Sequence, residues 1–131
     1  MEMCSISDST SDLPGEACWL VRDGVVLASL VVPRTRRERG RGLIGRSGVD
    51  GAMLLEPARS VHTIGMRFDI DVALLDADRI VLKVLTLKPY RISMPVKGCR
   101  SVLEAEAGAF RSWGLTPGDE LDVRHVADES S

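Results

Sequence analysis

The stretch Ser60-Val-His-Thr-Ile-Gly-Met-Arg-Phe-Asp-Ile-Asp71 holds a hydroxyl, an imidazole, a guanidinium and two carboxylates within twelve positions. These are the groups that move protons and recognise anions. A second polar set sits at Arg100-Ser-Val-Leu-Glu104. Alternate residues of a strand share a face, so Arg100, Val102 and Glu104 are expected to point together. If that face is core, Arg100 and Glu104 form a buried ion pair that needs full hydrogen bonding. Otherwise they are a ligand-binding pair.

Each candidate has a structural and a functional reading. His62 is a hydrogen-bonded structural histidine, a ligand-orienting group or a general base. Asp71 caps a turn, pairs with an arginine or takes part in catalysis. Ser60, His62 and Asp71 supply the letters of a hydrolase triad. However, Gly-x-Ser-x-Gly is absent, and neighbours along one strand do not create the base-to-orienter geometry. The two histidines, His62 and His125, and the distant Cys99 have no metal-ligand spacing, so no metal and no other cofactor is expected.

A further concentration of charge runs from Arg34 to Arg46. Six arginines against Glu38 give this segment +5, and the rest of the chain carries −7. The segment has no interleaved aromatics, and aromatic residues are 4% of the chain, too few for a base-stacking platform. Nucleic acid is therefore not an expected partner, and the run reads as a solvated helical face.

The elements that must position these groups are mostly short strands. Cys18–Arg22 and Val25–Val32 flank Asp23-Gly24, a pair suited to a tight hairpin turn. Thr35 and Glu38 form a capping box that starts a helix over about Arg36–Ile44, with Arg41 near its end. Gly40 and Gly42 weaken that helix. Ala52–Leu55, Ile70–Leu75, Ile80–Leu85, Arg100–Ala105 and Glu120–Val126 read as further strands. Gly108–Trp113 reads as one or two helical turns closed by Gly114, and Thr116-Pro-Gly-Asp119 as a type II turn.

The chain has 131 residues, 44% hydrophobic and 27% charged, with a formal charge of −2. Those values suit one globular domain and exclude collagen-like, coiled-coil and wholly disordered classes. The expected domain is 16–127, with polar, disordered tails at 1–15 and 128–131. Three cysteines without a CxxC argue for reduced thiols and a cytoplasmic protein. No basic-then-apolar leader is seen at the start, and the apolar runs are too short for a membrane helix, so no membrane partner is expected.

Arg41-Gly42-Leu43, Ser60-Val61-His62-Thr63 through Met66, Ile70-Asp71, the hairpin at Asp76, Arg100-x-Val102-Leu103-Glu104, Ala107-Gly108 and Gly118-Asp119 occur in that order. As a set they resemble domain-of-unknown-function family 192, also called uncharacterised protein family 0127, over about residues 25–124. Many members carry Trp-Met-x-Asn-Thr where this chain has His62-Thr-Ile-Gly-Met66, so it resembles a His-bearing branch. The resemblance implies a mainly β, jelly-roll-like sandwich and no established activity.

Strand spacing by itself favours a sandwich or partly closed barrel with one or two short helices. The expected function is a binding module for a small anionic or carboxylate-bearing ligand. Its site would draw on Arg41, His62, Thr63, Asp71, Arg100 and Glu104. The alternatives are an enzyme using His62 as general base and a protein-interaction domain.

Overall fold

Asp23 and Gly24 both have positive φ, 54° and 79°, and reverse the chain between β1 (Glu16–Arg22) and β2 (Val25–Val32). Two such residues in succession make the turn whose twist matches that of paired strands. The computed structural model describes residues 16–33, 51–60 and 68–125. The helix expected over 36–44, the arginine-rich segment, Arg41, His62, Thr63 and both tails lie outside the described residues.

The other elements are β3 (Ala52–Leu55), β4 (Ile70–Leu75), β5 (Val81–Leu87), β6 (Ser101–Glu106), α1 (Ala109–Trp113) and β7 (Asp122–His125). The strands form a seven-stranded sheet in the order β5-β4-β6-β3-β2-β1-β7. β2 and β3 run parallel and the other described pairs antiparallel. At the parallel junction Gly51 has φ 89°, and a Cβ there would overlap the Ser29 carbonyl. Glycine permits both the conformation and the approach.

The sheet is curled. Its two edges are β5 and β7, yet the start of β5 bonds to the chain leading into β7. Val81 N donates to Asp119 O at 2.8 Å, Gly118 N to Val81 O at 2.8 Å, and Leu121 N to Arg79 O at 3.0 Å. Gly118 (φ 97°) supplies the positive φ of the expected type II turn, closed by Asp119 N donating to Thr116 O. The mainly β expectation holds in this form: one mixed seven-stranded sheet folded towards itself, sandwich-like and not a closed barrel.

Curling gives the sheet an inner and an outer face, each with its own apolar cluster. The inner cluster includes Cys18, Leu20, Leu30, Leu54, Ala73, Leu75, Val81, Leu103 and Ala105, with Val123 packed against it, so every strand contributes. Phe110 of α1 closes one end of it. The outer cluster comes from β3–β6: Met53, Leu55, Ile70, Val72, Leu74, Leu87 and Val102, with Cys99. Ala58, Phe68 and Val96 pack over that face.

Strand parity therefore decides which side of the domain a polar residue enters. It also corrects one sequence-based limit. β6 starts at Ser101, so Arg100 lies at the strand's entrance, where its N–H donates to Leu75 O and its carbonyl accepts from Ala58 N.

Candidate functional site

Asp71 is 5% exposed on the inner face, in register with Thr86 on one side and Ala105 on the other. The Thr86 hydroxyl donates to its Oδ1 at 2.7 Å. The N–H groups of Gly108 and Phe110 donate to its Oδ2 at 2.9 and 3.1 Å. The start of α1 has no side-chain cap of its own, because Gly108 occupies the N-cap position. A carboxylate from β4 fills that role, satisfying amides that a helix start otherwise leaves bare. At the other end, Arg22 donates to the carbonyls of Trp113 (2.6 Å) and Gly114 (3.3 Å) and to Asp119 (3.0 Å). Asp71 is thus bonded inside the fold through both oxygens.

Glu104 lies on the opposite face. It is 1% exposed, faces Met53 on β3 and Val72 on β4 across the ladders, and shares its side with Val102. Among the described residues nothing bonds its Oε1. Burial pushes its pKa up to about 8, so the carboxyl is predominantly protonated at pH 7.

The grouping of Asp71 and Glu104 in one recess therefore does not hold. Val72 pairs with Glu104 and Asp71 with Ala105, and a one-residue offset sends the two side chains through opposite faces. An Arg100–Glu104 ion pair is not formed either. Arg100 is exposed ahead of the strand, and Glu104 is sealed within the sheet.

Arg100 instead lines a surface recess of about 410 Å³ together with Arg59, Val96, Lys97 and Cys99. Its walls are pinned to one another. Ala58 N donates to Arg100 O at 3.0 Å, the Cys99 thiol donates to Ala58 O (3.6 Å) and Ser101 O (3.4 Å), and Cys99 N closes a turn onto Val96 O. Gly98, with φ 87°, makes that turn possible. Burial pushes the Cys99 thiol pKa up, partly opposed by backbone hydrogen bonds and by the nearby Arg59. Among the described residues no acidic side chain lines the recess. The ion pairs among the described residues, Arg22–Asp119 and Arg79–Glu56, do not involve its three cations. Arg59 and Lys97 are not singled out by the sequence reading; the signal for Lys97 is that residues 88–100 contain no acidic side chain, and Arg59 has no comparable local signal.

Two other features fit less well. A recess of about 500 Å³ near the hairpin tips is lined by Asp23, Asp78, Glu120 and Asp122 with Arg79 and Arg124, and Arg79 is already held by Glu56 at 2.9 Å. Cys18 Sγ lies 3.4 Å from His125 Nδ1. Among the described residues no group of three potential ligands assembles around a metal position.

These features define a small mainly β domain with one curled mixed sheet and a cationic surface recess. Residues 20–123 match the model of DUF192, "Uncharacterized ACR", and the chain belongs to that family, whose function is unknown. It is 33% identical over 63 residues to a UPF0127 protein of Pyrococcus abyssi, covering 48% of this chain and 54% of the relative. A UPF0127 protein of Thermococcus sibiricus is 30% identical over 91 residues, 65% of this chain and 59% of the relative. The matches thus span little more than half the length of these curated relatives.

The fold resembles a crystal structure of a protein of unknown function from Novosphingobium aromaticivorans (TM-score 0.67, 20% identity, 81% of this chain and 83% of that one). It also resembles a Sinorhizobium meliloti protein crystallised as a candidate transcription regulator (TM-score 0.69, 21% identity, 82% and 92%). At these identities the likeness is one of fold. No helix among the described residues is long and apolar enough to cross a membrane.

Proposed function

We propose that the domain is a binding module that takes a small anionic or carboxylate-bearing ligand in the recess of Arg59, Lys97 and Arg100. The observation carrying this reading is the concentration of three cations around one concavity, with no acidic side chain among the described lining residues. Guanidinium groups offer paired N–H donors that match a carboxylate or phosphate, and Lys97 adds a compact charge. The bonds from Ala58 and Cys99 hold the walls before any ligand arrives, which lowers the ordering cost of binding.

His62, three residues along the chain from Arg59, is the proposed orienting group, and Arg41 and Thr63 belong to the same proposed set. Asp71 and Glu104 fall outside it, because one is committed to α1 and the other is buried in the sheet. The reading places the protein in the cytoplasm, a compartment suited to the buried thiols of Cys18 and Cys99.

Calorimetric titration with citrate and with inorganic phosphate tests the proposal. At least one is expected to bind more weakly as salt is raised, and Arg100→Ala is expected to weaken it about tenfold, the effect of losing a charge-assisted contact. Equal affinity in the variant, or no binding by either anion, overturns the assignment.

A further inference from the structure

Next to the cationic recess the usual placement of polar and apolar residues is reversed. In the connection from β5 to β6, Tyr90, Ile92 and Met94 are 68%, 64% and 73% exposed, whereas Ser93 between them is 2% exposed. Three large apolar side chains at alternate positions face outward, and the small hydroxyl faces inward. Isolated exposed apolar residues are common; an apolar strip bordered by one sign of charge marks a contact surface. The same connection continues through Pro95 and Val96 into Lys97 and Arg100, so the strip and the recess are contiguous along the chain.

We infer that the carboxylate taken by the recess is carried on a segment of another protein, whose apolar side chains pack on Tyr90, Ile92 and Met94. The inference rests on the anion-binding reading above and specifies the partner. The recess offers an acidic side chain several N–H donors, while the strip offers its apolar neighbours a dry contact. This is the arrangement of apolar anchors within a charged rim that protein interfaces use.

Charge selects among occupants. A second copy docked strip to strip would set Lys97 and Arg100 against their own equivalents, which is repulsive. A lipid surface would meet the apolar tips, but a planar array of headgroups has no use for a concave site of about 410 Å³ set beside them. An acidic and apolar peptide satisfies both features.

The probe is a labelled short peptide of alternating Glu and Leu, compared with an alternating Glu and Ser peptide by fluorescence anisotropy. The Glu-Leu peptide is expected to bind at least about tenfold tighter, because it alone brings apolar surface to the strip. Ile92→Ser combined with Met94→Ser, which removes the apolar tips without adding charge beside the recess, is expected to remove that advantage while leaving citrate affinity unchanged. Both substitutions are at exposed positions, and an unchanged melting temperature verifies folding. Arg100→Ala is expected to weaken peptide and citrate together.

Equal binding of the two peptides, or indifference to the double substitution, overturns the inference and leaves the recess reading standing if citrate still binds. Binding of the double variant and the parent alike to phosphatidylserine vesicles, with no peptide preference, also overturns it. Peptide binding that is lost in the double variant but unaffected by Arg100→Ala refutes the recess reading, and with it the carboxylate contact inferred here.

Discussion

Asp71 and Glu104 are carboxyl groups on adjacent strands, one register step apart, and both are almost completely buried, yet their surroundings differ in every respect. Asp71 enters the inner face at the end closed by α1 and receives three hydrogen bonds, two from backbone amides of the helix start. Glu104 enters the outer face among Met53, Val72 and Val102, and among the described residues its Oε1 meets no donor. Burial alone thus does not say what a carboxyl does. The donors that surround it decide whether it fastens the fold or burdens it.

Removing the satisfied carboxylate should cause the largest loss of stability. Asp71→Ala strands two amide donors and a hydroxyl, and a loss of about 3 kcal/mol is expected in urea denaturation. A loss below about 1 kcal/mol would mean that water replaces the cap freely and that the contrast between the two faces is overstated.

For Glu104 the effect has the opposite sign and depends on pH. Its carboxyl keeps its proton in the native state up to about pH 8, while the unfolded chain releases it near the ordinary value of 4.5. The native protein then holds more protons than the unfolded chain, so stability falls as pH rises between those two values and levels off above. Glu104→Gln cannot ionise. It should be more stable than the parent by about 3 kcal/mol at pH 7, with the difference vanishing at pH 4.5 and below. Parallel stability–pH curves for parent and variant would refute the account of this residue.

The finest probe is Thr86→Val, which deletes one of the three donors to Asp71 and keeps the shape. A cost of about 1 kcal/mol is expected, and it should largely disappear in the Asp71→Ala background, because the two groups act as one unit. Full additivity in that double-mutant cycle would show that the hydrogen bond contributes nothing.

The local features could be read directly from the chain. Asp23-Gly24 and Pro117-Gly118 demand particular φ values of their own residues, so the hairpin and the type II turn follow from adjacent letters. The short helix between Gly108 and Gly114 is bounded in the same local way. Asp71 was legible as a turn or helix cap but not as the cap of this helix, since its amide partners lie 37 and 39 residues further along. Arg100 was selected by assuming that the strand already includes it. It borders a cationic recess because Ala58 bonds to its carbonyl, a contact that also brings Arg59 alongside. The outward strip at Tyr90, Ile92 and Met94 was not legible at all, because alternation shows that two sides differ without saying which is wet.

Turn chemistry, strand content and the mainly β class reside in short-range preferences, each set by a residue and its immediate neighbours. The assignment of Asp71 to the inside, Glu104 to the outside and three cations to one concavity arises from register and from contacts between distant segments. A displacement of one residue in β4 against β6 would exchange the faces of every side chain on the strand, and no local preference distinguishes those two pairings. The difference between them is the free energy of burying each set of side chains against the rest of the molecule, which exists only once the sheet has assembled.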